Sequence, residues 1–209
     1  MNVRSKIRIL IADDHAIVRT GLASLLNRQR DFEVVSQAKN GDETVAAALR
    51  DRPDVVIMDL MMPGKDGTEA TTEIHATLPQ TKILILTSFG TSDGIAHALQ
   101  AGASGALVKT TENDELIDAI RRVAVGETVI SPELENMMKN DPPLPELSPR
   151  QRAILQSMTD GLTSKEIGKK LGLKKDTIDK HINALLAKTG AVSRTQAVAI
   201  ALRKHLLKI

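Results

Sequence analysis

Apolar runs of strand length alternate with helical patterns through the first 125 residues. The apolar runs fall at 7–12, 34–38, 55–60, 83–87 and 106–109. Between them, apolar positions recur at helical spacing over 16–26, 43–50, 67–78, 93–101 and 113–124. Strands alternating with helices of this length predict βαβ units around a parallel sheet. Runs such as ILILT do not alternate with polar residues, as expected when helices cover both faces. The pattern therefore predicts an α/β doubly wound five-stranded parallel sheet.

After Gly126 the alternation stops. SPELENMM (131–138) predicts a short helix, and the following KNDPPLPE, with three prolines, predicts a linker. From Leu147 the pattern is helical only. Four helices are expected near 148–160, 164–171, 175–189 and 194–206, forming an all-α unit. Ser148 with Gln151, Thr163 with Glu166, and Ser193 with Gln196 have capping-box spacing. Gly161 and Gly190 stand where helices should stop. The expected division is 1–126, a linker with a short helix at 127–146, and 147–209.

Charge sharpens this division. Residues 1–140 carry 15 Lys and Arg against 20 Asp and Glu; residues 141–209 carry 13 against 6. An acidic module joined to a basic one suggests that the second meets a polyanion, although a solvated basic face gives the same count. Phe32 and Phe89 are the only aromatic residues. Single-strand binders stack bases on aromatic platforms, so duplex DNA is the expected nucleic acid. With no cysteine, disulfides, thiolate metal sites and cysteine nucleophiles are excluded. No apolar run approaches the roughly 20 residues of a membrane span, and the N-terminus turns acidic early; a cytoplasmic protein is expected.

In an open parallel sheet, ligands bind beyond the carboxyl ends of the strands. Those ends carry Asp13 and Asp14 after ILIA, Asp59 after VVIM, Thr87 after ILIL, and Lys109 after ALV. Each has a plainer reading alone: a helix start, a cap, a solvated ammonium. Together they make one site. Clustered carboxylates need a cation, and hard oxygen donors suit Mg2+. A neutralised carboxylate can attack a phosphoryl donor. Lys109 and Thr87 would then meet phosphoryl oxygens.

IADDH, MDLMMPGKDG, LTS and GALVKT together resemble the receiver domain of bacterial response regulators over 6–126. The resemblance implies a flavodoxin-like fold of strand order 2-1-3-4-5, with Asp59 accepting phosphate from a histidine kinase. It implies Mg2+ on Asp13, Asp14, Asp59 and the carbonyl of Met61. One position departs. The family has Tyr or Phe three residues before the lysine, where Ala106 stands here, so signal transmission from Thr87 must take another route.

Helix, turn and helix at 164–189 predict a helix-turn-helix. Ile178, Ile182 and Leu185 form its inner face; Lys175, Asp179, Lys180 and Asn183 lie opposite. An ordinary amphipathic helix would look similar. The openings LSPRQ and GLTSKEIG, with DTIDKHI and SRTQAV, resemble the LuxR-type DNA-binding domain, and the whole chain resembles the NarL/FixJ group. This implies base contacts from Lys180 and Asn183 with Asp179 beside them, and a homodimer through the last helix. Lys169, Lys170, Lys174, Lys175 and Lys188 are expected at phosphates. The family has a Ser cap at Lys174 and a basic residue at Asp179; an acid there alters sequence preference or weakens affinity. RNA polymerase is an expected further partner.

Two alternatives keep the fold or the chemistry but not both. One is a regulator of this architecture switched by something other than phosphate, which Ala106 motivates. The other is a haloacid-dehalogenase-type phosphatase, which requires Asp-x-Asp on the first strand; here the acids are adjacent and the candidate nucleophile is on the third. No GxxxxGK[ST] or GxGxxG follows a strand. The expectation is a DNA-binding regulator, not an enzyme.

Overall fold

A computed structural model describes residues 6–88, 91–145, 147–204 and 206. The expected ends at 1–5 and 207–209, with Glu146 and His205, lie outside the described residues. The chain divides into two compact units, Met1–Asp141 and Pro142–Ile209.

The first unit runs β1 (Ile7–Ala12), α1 (Ala16–Asn27), β2 (Phe32–Ala38), α2 (Gly41–Asp51), β3 (Val55–Met58) and α3 (Gly67–Thr77). It continues through β4 (Lys82–Thr87), α4 (Ser92–Gln100), β5 (Gly105–Val108), α5 (Asn113–Ala124), β6 (Val129–Ile130) and α6 (Pro132–Asn140). The strands are parallel, in the order β2-β1-β3-β4-β5-β6. The expected 2-1-3-4-5 arrangement is therefore present, extended by a sixth strand. All four β3 residues are buried, because α2, α3 and α4 cover one face of the sheet and α1 and α5 the other.

Within 127–146, where a linker with a short helix is expected, the structure has β6 and α6 packed on the first unit. Ile130 pairs with Ala106, and Ser131 N–H donates to the Ala106 carbonyl at 3.0 Å. Leu134 is fully buried in the same cluster as Ala106, Ile95 and Ala98, with Met137 and Met138 packed against it. The apolar positions 134, 137 and 138 form one helical face, and this face closes over the small side chain at 106. Pairing by β6 also covers the edge that β5 would otherwise expose.

The second unit contains α7 (Pro149–Thr159), α8 (Ser164–Leu171), α9 (Lys175–Thr189) and α10 (Arg194–Arg203). Ile154, Leu155, Ile167, Ile178, Ile182 and Leu185 form its core. Ser148–Gln151 and Thr163–Glu166 are complete capping boxes. Ser193 accepts from Gln196 N–H, but the Gln196 side chain bonds Val192 N–H instead of closing the box. Among the described residues, no helix is long and apolar enough to cross a membrane.

Candidate functional sites

Sheet register gathers the first site. Ala12 pairs with Met58, so Asp13 and Asp59 are the first residues past two adjacent strand ends. The Asp59 N–H donates to the Ala12 carbonyl at 2.8 Å, holding the two chains together as they leave the sheet. Lys109 is the first residue past β5, and its N–H donates to the Thr87 carbonyl at 2.8 Å. The loop after Asp59 turns at Gly64, whose φ of 76° favours glycine. It returns at Gly67, where a Cβ would collide with the Asp59 carbonyl. A capping box between Asp66 and Glu69 then starts α3.

Asp13 and Asp59 are buried, whereas Asp14 is exposed. The Lys109 ammonium donates to Asp13 Oδ2 and to Asp59 Oδ2, each at 2.6 Å. Burial raises the Asp59 carboxyl above the usual range, against the lowering pull of Lys109. Burial alone would lower the Lys109 ammonium, but its bonds to Asp13 and Asp59 outweigh this and leave it raised. Ligand atoms of Asp13, Asp14, His15 and Asp59 all lie within 4.8 Å of one another. The Thr87 hydroxyl is buried and has no hydrogen-bond partner among the described residues. An unsatisfied buried hydroxyl is costly unless a ligand completes it.

The structure thus brings Asp13, Asp14, Asp59 and Lys109 into one pocket at the strand ends, with Thr87 on the adjoining strand end. Met61 is exposed, and its N–H donates to Asp59 Oδ1 at 3.3 Å. Two participants were not anticipated as such. His15 Nδ1 lies 2.7 Å from Asp14 Oδ1, and Arg19 donates to the Asp13 carbonyl at 2.7 Å. His15 stands in the IADDH motif itself; Arg19 has no local signal, because it reaches back from α1.

The second site is the outer face of α9. Its inner face is fixed by Ile178, Ile182 and Leu185. Gly172 ends α8 in the left-handed region, and Leu173 N–H donates to the Gly168 carbonyl at 2.8 Å, making the tight turn. A Cβ on Gly168 would meet the Leu173 carbonyl, so this close approach needs glycine. Lys174, Lys175, Lys180 and Asn183 are exposed. Lys174 caps α9 with no side-chain hydrogen bond. Lys188 is half-buried and donates to Gln151 Oε1 at 3.1 Å. Lys175 donates to Asp179 Oδ2 at 2.8 Å.

Comparison with known proteins bears on both units. Residues 9–121 match the response regulator receiver domain, and residues 145–201 match the bacterial regulatory proteins of the luxR family. The chain is 38% identical over 207 residues to the response regulator protein VraR of Staphylococcus aureus, covering 97% of this chain and 99% of that one. It resembles the crystal structure of ChrA, the response regulator of a heme-sensing two-component system, at 33% identity and a TM-score of 0.58, over 97% of this chain and all of that one. A structure of RcsB dimers bound to DNA shares the fold, at 23% identity and a TM-score of 0.67, over 96% and 99% of the two chains. The chain belongs to the two-component response regulators that join a receiver domain to a LuxR-type DNA-binding domain.

Proposed function

We propose that this regulator is switched by phosphorylation of Asp59 and that its output is sequence-selective binding of duplex DNA. The observation that carries the reading is the strand-end pocket. There Lys109 bridges Asp13 and Asp59, and a buried hydroxyl on Thr87 lacks a partner among the described residues. An Asp59 carboxylate oxygen attacks the phosphorus of a phosphohistidine on a partner kinase. A P–O bond forms as the P–N bond breaks, and the electron pair leaves on the imidazole nitrogen. The Lys109 ammonium, already 2.6 Å from Asp59, then pairs with a phosphoryl oxygen, and the Thr87 hydroxyl donates to another.

The donor set fits Mg2+: hard carboxylate oxygens from Asp13, Asp14 and Asp59 converge, one of them open to solvent. Asp13, Asp14, Asp59 and the Met61 carbonyl would hold it. When bound, it offsets negative charge between the acids and the phosphoryl group. His15 beside Asp14 and Arg19 on the Asp13 carbonyl keep the acidic pair oriented.

On the output side, α9 enters the major groove. Lys180 and Asn183 read base edges, with Asp179 beside them, and Lys174, Lys175, Lys169 and Lys170 meet phosphates. Lys188 joins them by leaving Gln151. The RcsB complex supports a dimeric DNA-bound state for this fold, and α10 is the dimer contact that we assign. The setting is the cytoplasm, with a sensor histidine kinase upstream and RNA polymerase downstream. Selection of a preferred duplex from a random pool tests the output directly. Lys180→Ala combined with Asn183→Ala is expected to cost roughly 1–3 kcal/mol for each lost base contact on that duplex, and little on unrelated DNA. Equal discrimination by parent and double variant refutes the assignment of the reading helix.

A further inference from the structure

Lys204 is a charged group that neither site uses, and it is only 4% exposed. A buried ammonium is costly unless it is hydrogen-bonded. Its Nζ donates to the Pro142 carbonyl at 3.0 Å. Lys204 caps the C-terminus of α10, where the helix dipole favours a cation. Pro142 is the first residue of the second unit. The chain therefore enters that unit fastened to the end of α10. Three of the residues 142–145 are proline. Proline fixes φ and stiffens the backbone, so this segment is a semi-rigid strut. Its far end is held as well: Leu147 is buried in the core of the second unit, and its carbonyl accepts from Arg152 Nε at 3.2 Å.

One peptide bond earlier, Asp141 ends α6. Its Oδ2 accepts from the Ser92 hydroxyl at 3.4 Å, and Ser92 is the fully buried first residue of α4. Leu134 of α6 lies in one buried cluster with Ile95 and Ala98 of α4. α6 is thus secured to α4, which begins five residues after Thr87. Each tie lies within its own unit, and the bond between residues 141 and 142 joins them. No residue stands between the two fastenings to absorb a movement.

We propose that Lys204 is a positioning residue that carries the state of the first unit to α10: it holds the entry strut on that helix, so a shift of α4 and α6 acts on the end of α10. The inference rests on the reading above, with Asp59 as phosphoryl acceptor and α10 as dimer contact. Phosphorylation then biases DNA binding through the chain itself, by a route that does not use the side chain at position 106.

The test uses the full chain: parent, Lys204→Met, Lys204→Arg, and an insertion of Gly-Ser-Gly-Ser between Asp141 and Pro142. Phosphoryl uptake from acetyl phosphate and Mg2+ is read by intact mass. Affinity for the duplex selected by the parent is measured before and after uptake. The ratio of the two affinities is compared within each protein, so a general loss of binding cancels. Uptake is expected to be equal in all. The parent should gain about 5–150-fold, the range of allosteric couplings, and Lys204→Met and the insertion less than about twofold. Lys204→Arg keeps a donor and should retain most of the gain. The insertion leaves Lys204 and α10 intact, so it decides the question even where Lys204→Met does not fold. A parent-like gain in the insertion overturns the proposal, as does a parent-like gain in folded Lys204→Met. Equal losses in Lys204→Arg and Lys204→Met overturn it too, because packing rather than the hydrogen bond then matters. If the parent takes up phosphate with no change in affinity, the switch reading falls and this inference with it; if it takes up none, the assignment of Asp59 falls first.

Discussion

Lys109→Met should reveal how the pocket at the strand ends is balanced. In the native protein one ammonium meets two buried carboxylates at 2.6 Å each. Methionine keeps the length of the side chain and removes the charge, leaving Asp13 and Asp59 buried side by side with no cation. Breaking a buried ion pair by deleting one partner costs about 3–5 kcal/mol. Asp14 opens the pocket to solvent on one side, so the lower end, about 3 kcal/mol, is expected here. At about 2–4 °C per kcal/mol for a chain of this size, the receiver transition should fall by roughly 6–12 °C at pH 7.5 in EDTA. The pH dependence has a definite sign. Burial already raises the Asp59 carboxyl, and loss of Lys109 removes the interaction opposing that rise. A raised carboxyl favours the native state below its unfolded value near 3.8 and penalises it as pH climbs through the folded value. The gap between variant and parent should therefore narrow from pH 7.5 to pH 5. Adding Asp59→Asn to Lys109→Met should recover part of the loss, a coupling that a double-mutant cycle reads directly by differential scanning calorimetry. A Lys109→Met transition within about 2 °C of the parent, or a gap independent of pH and of Asp59→Asn, would refute this account of the pocket.

Other outcomes follow from the packing. Leu134→Ala removes a fully buried side chain from the cluster around Ala106 and should destabilise the first unit by about 2–5 kcal/mol, while Val125→Ala at an exposed position stays within about 0.5 kcal/mol. Equal effects would return α6 to the role of a loose linker. Gly67→Ala forces the Asp59 carbonyl to move and should slow phosphoryl uptake at Asp59 even where the fold survives by circular dichroism; an unchanged rate would show that the loop absorbs the clash. Asp31, held below the usual carboxylate range by its bond to Arg121, contributes stability above pH 3.8 that is lost as pH falls through its folded value. Because the pair is exposed, Asp31→Asn should cost at most about 1 kcal/mol at pH 7 and nothing near pH 2, by thermal melting.

The strand ends that carry the site were legible in the sequence because their apolar runs stop at a charged residue or, at Thr87, a hydroxyl. Register then aligned those stops: Ala12 beside Met58 puts Asp13 beside Asp59. Helices of the second unit were legible from caps, since Ser148, Thr163, Gly161 and Gly190 mark starts and stops by local chemistry. The β6 strand was not. A strand of two residues has no period to detect, so the segment is expected as a linker with a short helix over 131–138. Leu134, Met137 and Met138 signal that helix, but nothing local shows that it packs on the first unit. Arg19 presents the opposite limit. It reaches back from α1 to the Asp13 carbonyl, and no local pattern points to that contact.

The central claim is that Asp59 is a phosphoryl acceptor served by the groups around it. The most direct measurement is the intact mass of the protein after incubation with acetyl phosphate and Mg2+, beside EDTA and beside Asp59→Asn. A single phosphoryl adduct that appears with Mg2+, disappears with EDTA and is absent from the variant is the expected result. An adduct that persists in Asp59→Asn, or none with either acetyl phosphate or a phosphorylated kinase, would contradict the claim and leave a receiver switched by another ligand.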